Sequence, residues 1–407
     1  MELKRLSRAP TQDEFARLVV AEIAKTAPAT AVDYDPAAFR ITAGATQIHL
    51  GNLYADYLKA PRLTRRNVIR NAASLLPSSG ETRKNLSEVL ANVLPRVIQR
   101  AYFELMPYYA PNAAASWWPF AEDFAEAVVV DSPATLEYVN DVMLEELGVD
   151  IRVLRARALE NLGRQSSLKG FKRTRSGYYV SGWRDNHDAS RMLLVDLIAQ
   201  LDVRGDPVAV APNRDYLLIC GDRDEQAQVA MLGEAHRLLE KHPRPISGRM
   251  LRLRERQWEP YLPSPGSDAR AVALALRNGT SIFEYGEQEA TLMEHEPEKY
   301  KDDVWIAKLQ EVGLDGEEAF TMAVWVEGAQ PALMPFADQV YFGTGEDASN
   351  PVERLRVPWA DAVSICGRHL EMTITYPLRY LVSGFPDEGE LSQLREVSLP
   401  MWPQPAR

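Results

Sequence analysis

Apolar runs in this chain are short, and their spacing switches between the helical and the extended period without settling into a regular strand-then-helix alternation. Thr11 to Thr26 places Phe15, Leu18, Val19 and Ile23 at helical spacing, with Thr11 as N-cap and Asp13 and Glu14 in the first turn. Val32-Asp33-Tyr34, Phe39-Arg40-Ile41 and Gln47-Ile48-His49-Leu50 then alternate as strands around Gly44, and Leu63 to Leu76 returns to the helical period. A second module opens on Ala127-Val128-Val129-Val130, leaves through Asp131-Ser132-Pro133, and continues as helices from Tyr138 to Leu147 and from Ile151 to Leu162, with Pro133 suited to a helix start. A third predicts a strand at Tyr178-Tyr179-Val180, a helix from about Asp188 to Leu201 and a hairpin of Pro207–Ala211 with Tyr216–Cys220. A helix from Glu225 to His242 and a last strand, Met250 to Arg254, complete it. Such an order favours an α+β fold, mixed or antiparallel sheets with helices packed on them, over a doubly wound parallel sheet.

The chain has 407 residues, and a single core rarely grows beyond roughly 250 to 300, so two domains are expected. Tyr261-Leu262-Pro263-Ser264-Pro265-Gly266-Ser267 has the composition of a linker. The expected division is residues 1–262, with possible sub-units 1–105 and 106–262, and a smaller α+β domain over 268–400. In the latter, helices are expected at Asp268–Arg277, Val357–Cys366 and Glu388–Glu396, and strands at Phe320–Val326, Gln339–Phe342 and Met372–Tyr376.

Charge is unevenly distributed. Residues 1–264 carry 33 acidic against 35 basic side chains, whereas residues 265–407 carry 24 against 11, so the net charge of −11 arises in the last third. That asymmetry suits a basic partner or, read structurally, a well-solvated surface. No stretch offers the roughly 18 apolar residues of a membrane helix, and Met1-Glu2-Leu3-Lys4-Arg5 leads into no signal-like apolar segment; a cytoplasmic protein with no membrane partner is expected. Cys220 and Cys366 are too few for a disulfide framework or a four-ligand zinc site, and both read as buried thiols.

The densest chemical vocabulary lies in Trp183-Arg184-Asp185-Asn186-His187-Asp188-Ala189-Ser190-Arg191 and in Pro212-Asn213-Arg214-Asp215. His187-Asp188 matches the His-Asp pair of metal-dependent phosphohydrolases, but His49, His236, His242, His295 and His369 are scattered, and His236 and His242, six apart, share no helix face. Asp185 or Asn186 as N-cap with Asp188 in a first helical turn explains the same residues without a metal. Pro212 to Asp215 reads as a hairpin turn; alternatively Asp188, Arg191, Arg214 and Asp215 converge to bind an anion or a charged side chain of a partner. Trp117-Trp118-Pro119-Phe120, in a Pro- and Ala-rich loop, serves either the core or an interface.

Two basic clusters complete the candidates. Lys169, Lys172, Arg173, Arg175 and Arg184 are interleaved with Phe171, Tyr178, Tyr179 and Trp183 as in single-strand nucleic-acid binders, but the near-neutral balance of residues 1–264 argues against a nucleic-acid partner. Lys59, Arg62, Arg65, Arg66 and Arg70 read as the solvated face of a helix. No phosphate loop, nucleophile elbow, His-Glu-x-x-His or dinucleotide fingerprint occurs, so no catalytic residue, metal or cofactor is assigned.

Asn186-His187-Asp188-Ala189-Ser190-Arg191-Met192-Leu193, with Ala158-Leu159-Glu160-Asn161-Leu162 before and Ala211-Pro212-Asn213-Arg214-Asp215-Tyr216-Leu217 after, resembles the bacterial YtpQ-like family of uncharacterised proteins. Leu94-Pro95-Arg96-Val97, Asp131-Ser132-Pro133 and Trp258 extend the likeness over about residues 10–262. It implies a bacterial cytoplasmic α+β fold and no catalytic residues. The expected function is therefore a non-enzymatic, regulatory or neutralising protein that binds another protein with a basic face. Asp185, His187, Asp188, Arg191, Arg214, Asp215, Trp117 and Trp118 are its candidate binding residues. The alternative is a metal-dependent hydrolase of phosphoesters or nucleotides working through Asp185, His187, Asp188 and Asp215.

Overall fold

A computed structural model of the protein describes residues 10–26, 28, 31–43, 46–60, 64–73, 85–109, 115–132, 136–241, 245–300, 304–314, 316–345, 352–373 and 375–401. The architecture is α+β, with antiparallel and mixed sheets. Contacts divide the chain into two compact units, one of residues 1–94 with 128–161 and one of 95–127 with 162–407. The Tyr261–Ser267 stretch lies inside the second, where the Ser267 hydroxyl accepts from the Arg270 amide and so caps the next helix.

In the smaller unit the helix Gln12–Thr26 buries Phe15, Val19 and Ile23 together with Ile41 and Ile48 of a three-stranded antiparallel meander, Val32–Asp35, Arg40–Ala43 and Thr46–His49. Helices Leu50–Lys59 and Arg65–Ala73 close this core, while Gly44 and Arg62 lie outside the described residues. The expected helix beginning at Tyr138 starts later: Leu136–Tyr138 pairs with Val129–Asp131 as a strand, and Asn140 caps the helix Asp141–Leu147. Pro133 is also outside the described residues.

The larger unit is organised by a six-stranded antiparallel sheet in the order Gln257–Tyr261, Met250–Arg254, Pro207–Asn213, Tyr216–Gly221, Tyr179–Ser181, Phe171–Arg173. Both faces are covered, which is why its central strands read as near-continuous apolar runs. Ala209, Ala211, Leu217, Ile219 and Leu251 point to one core with Met192 and Ile198. Val208, Val210, Leu218 and Cys220 face the other, under Met231, Leu232 and Ala235 of the helix Glu225–Lys241. The helix expected over Asp188–Leu201 is instead a 3-10 turn, Ala189–Leu193, followed by a single α-turn, Val195–Ile198. There the Trp258 indole donates to the Met192 carbonyl at 2.9 Å, which ties the irregular segment to the edge strand.

The helix starting at Asp268 runs to His295, far past the expected end at Arg277. Two four-stranded sheets follow, ordered Gln310–Val312, Phe320–Val326, Gln339–Thr344, Glu353–Pro358 and Trp305–Ile306, Ala332–Pro335, Arg379–Val382, Leu370–Met372. Trp325, Phe342, Val357, Trp359, Cys366 and Leu394 form their core. Among the described residues no helix is long and apolar enough to cross a membrane.

Arg379 is 1 % exposed and is held by oxygen acceptors other than carboxylates. It donates to Gln288 Oε1 at 2.6 Å and to the carbonyls of Ala307 (2.8 Å), Leu333 (3.1 Å) and Tyr285 (3.3 Å). Burial pulls its guanidinium down to about 10. Replacing it removes the guanidinium donor from Gln288 Oε1 and the Ala307 carbonyl, while the Leu333 carbonyl keeps the Ala307 amide, so Arg379→Met is expected to lower the unfolding free energy by roughly 3 kcal/mol. Urea denaturation measures this, and a loss below about 1 kcal/mol would mean that the acceptors find other donors.

Candidate functional site

The residues singled out between Trp183 and Asp215 come together in the larger unit, chiefly as an ion-pair network. Arg191, fully buried, donates Nη1 and Nη2 to the two oxygens of Asp185 at 2.9 and 2.7 Å and Nε to the Ser166 hydroxyl, and its guanidinium lies 3.9 Å from the Trp183 ring. Desolvation raises the Asp185 carboxyl, but the Arg191 contacts outweigh it and hold it below the usual range. Asp185 also accepts the His187 amide, and the His187 ring meets the Pro95 carbonyl at 3.2 Å.

Asp188 is 0 % exposed and neither carboxyl oxygen has a hydrogen bond of good geometry. Burial pushes its carboxyl up, offset in part by the Ser181 hydroxyl. The Arg214-Asp215 pair lies in the hairpin turn, where Asn213 Oδ1 accepts the Asp215 amide as an Asx turn does and the Arg214 carbonyl accepts the Ala189 amide. Arg184, at φ 57°, lays its guanidinium 3.5 Å from the Tyr216 ring and donates to the Asp215 carbonyl. Thus Asp185, His187, Asp188 and Arg191 cluster, while Arg214 and Asp215 hold the turn. Among the described residues, no group of three or more His, Cys, Asp and Glu is arranged to hold a metal ion.

Trp117 and Trp118 belong to a strand, Trp117–Phe120, not a loop; Trp117 stacks on Phe103 at 5.4 Å and 8°. Nor do the aromatic residues near Lys169 form one stacking platform. Tyr178 packs in the core under one sheet face and Tyr179 in the core under the other, because successive strand residues alternate. Phe171 is buried edge-on against Trp183.

A different cluster, which no local motif announces, lies where the hairpin Trp117–Phe120/Phe124–Asp131, the strand start at Arg249, the long helix and the loop at Tyr376 meet. Arg249 Nη1 stands 3.2 Å from Asp123 Oδ2 and 3.5 Å from Glu284 Oε2, and Nη2 donates to the Ser281 hydroxyl. Asp123 is 0 % and Glu284 1 % exposed. Glu284 accepts from Gln99 at 3.3 Å and from the Tyr376 hydroxyl at 3.4 Å, and the Arg100 guanidinium covers the Tyr376 ring at 4.4 Å. Asp123 is delivered by a three-residue turn in which Ala121 and Glu122 take φ of 46° and 43°, and its carbonyl accepts the Arg100 amide.

Two buried carboxylates therefore face one guanidinium. Burial, reinforced by the charge of Asp123 and relieved by Arg249, pushes Glu284 up to about 8, and burial likewise raises Glu122 at the rim. Against its own desolvation, Arg249 is held more firmly protonated by Asp123 and Glu284. Chemically the arrangement favours the protonated form of Glu284 beside the Arg249 charge. No protein-family model, curated protein or solved structure matches this chain.

Two outcomes are expected. Folded Glu284 retains a proton that the unfolded chain releases near 4.5, so its contribution to stability falls as pH rises from about 4.5 and is fully lost above about 8. Glu284→Gln should flatten that slope in denaturation curves collected between pH 5 and 9; an unchanged slope would show that Glu284 ionises freely. Asp185→Ala leaves Arg191 buried without its carboxylate and should cost about 3 kcal/mol, read by the same measurement at one pH.

Proposed function

We propose that this chain is a non-enzymatic binding protein of the cytoplasm whose partner presents a basic face to the acidic last third of the sequence. The observation that carries this reading is at the end of the helix Asp268–His295. Glu287 and Glu294, and Glu298 just beyond, are exposed and have no ion-pair partner among the described residues. Glu294 lies in the last turn, where the helix dipole disfavours negative charge, and the three side chains together leave a negative field for steering a cationic partner. Elsewhere in the same region acids are neutralised, as in Glu317 with Arg356, Glu318 with Arg270, and Glu353 and Glu388 with Arg395. The buried pair Asp123–Glu284 is closed to a substrate by its burial. Asp185 and Asp188, the main acids of the hydrolase alternative, hold Arg191 and lie under the fold respectively. Likeness to the YtpQ-like family adds a bacterial setting to this reading and no reaction.

The test is affinity capture with the full chain beside a Glu287→Lys/Glu294→Lys/Glu298→Lys variant, at low and high salt. The wild type should retain a basic protein at low salt and release it as salt rises, and the variant should lose it. Identical capture by both chains would place the interface elsewhere. Turnover of a generic phosphoester with manganese or magnesium, abolished in a folded Asp188→Asn variant, would favour the hydrolase instead.

A further inference from the structure

A groove of about 390 Å³ lies between the helix Asp268–His295, the turn at Gly316–Ala319 and the strand Gln339–Thr344. Its walls carry Arg270, Arg277, Glu317, Glu318, Phe320 and Gln339. Behind Glu317 and Phe320 stands Arg356, whose side chain is 2 % exposed. Arg356 Nη2 donates to Glu317 Oε1 at 3.1 Å and its guanidinium is 5.4 Å from the Phe320 ring, yet Nε and Nη1 have no acceptor. Gln339 Oε1, at the groove itself, is buried without a donor.

A guanidinium presents five N–H donors in a plane and is matched by a two-oxygen anion bound side-on. Here a buried one receives a single oxygen from a glutamate that is 42 % exposed and is carried on a surface turn, where Gly316 takes φ 83°. The neighbouring Glu318, 46 % exposed, reaches Arg270 Nε in the same manner. Asp338 differs from both, since the Thr321 amide and hydroxyl and Arg277 fix it in place. The two glutamates thus behave as tethered anions over arginines that they satisfy incompletely.

We propose that this groove binds a small ligand carrying a carboxylate or phosphate group, which displaces Glu317, engages side-on the Nε–Nη2 edge of Arg356 that Glu317 holds through Nη2 alone, together with Arg270, and donates a hydroxyl or amine to Gln339. The site is independent of the partner surface at Glu287 and Glu294. The Glu317-Glu318 turn acts as an internal competitor that sets the affinity.

Isothermal titration of the full chain with inorganic phosphate, and separately with citrate, tests the assignment. A saturable one-to-one signal with citrate alone assigns a carboxylate ligand, and with phosphate alone a phosphate ligand. Glu317→Gln, which removes the competing charge, should tighten binding roughly tenfold. Arg270→Gln, at a partly exposed position, and Arg356→Met should each abolish it; circular dichroism establishes that the second remains folded, and Arg270→Gln carries the test if it does not. Absence of binding to Glu317→Gln with both probes, or binding that survives in Arg270→Gln, overturns the proposal.

Discussion

Arg249 stands where three segments of the larger unit meet, and its charge makes two buried acids tolerable there. Asp123 comes from a hairpin turn, Glu284 from the middle of a long helix, and Arg249 from the residue before an inner strand of the six-stranded sheet. Two ionised carboxylates against one guanidinium leave a surplus negative charge in a medium that solvates it poorly. A proton on Glu284 removes the surplus. The fold around this point is thus joined by a charge balance that shifts with pH, whereas the sheet beside it is joined by backbone hydrogen bonds and apolar area.

The other buried arginines show different solutions to the same difficulty. Arg191 has a bidentate carboxylate, a hydroxyl and an aromatic face, and is complete. Arg379 is surrounded by carbonyl and amide oxygens, so its charge is solvated without being neutralised. Arg356 has one oxygen from an exposed glutamate and keeps unused donors. Completeness of hydrogen bonding separates a structural arginine from one with capacity to spare.

Much of the fold is legible in the chain, and the departures have physical causes. The hairpin of residues 207–221 reads directly, because two apolar runs flank Asn213 and Asp215 in turn positions. The strand Gln257–Tyr261 does not, since its hairpin turn places Glu255 and Arg256 at φ 49° and 66° with neither Gly nor Asn to signal it. In sequence the helix from Asp268 ends where Asn278-Gly279-Thr280 interrupts it, yet Asn278 bonds Glu311, and Thr280 accepts the Gly248 amide while donating to the Leu276 carbonyl. Tertiary partners override weak local propensity there. Of the candidate site residues, Asp185 reads as a helix cap and Arg191 as a partner of Asp188, Arg214 and Asp215, whereas in the structure Arg191 pairs with Asp185, because the expected helix is a 3-10 turn that brings the two together. The Asp123, Arg249, Glu284 and Tyr376 cluster draws on four distant stretches, and no pattern in any one of them hints at the others.

The interleaving of the two units along the chain bears on how the protein is made. Ribosomal synthesis delivers residues 95–127 early, between the two pieces of the smaller unit, while nearly all the material that completes the larger unit is still unmade. The smaller unit has its last residue by 161, but Gln99 and Asp123 must wait, hydrated and unpaired, for Arg249 and then for Glu284. A nascent chain paused before Arg249 would hold a hydrated acid in place of a buried one, and would be a natural client for a holding chaperone.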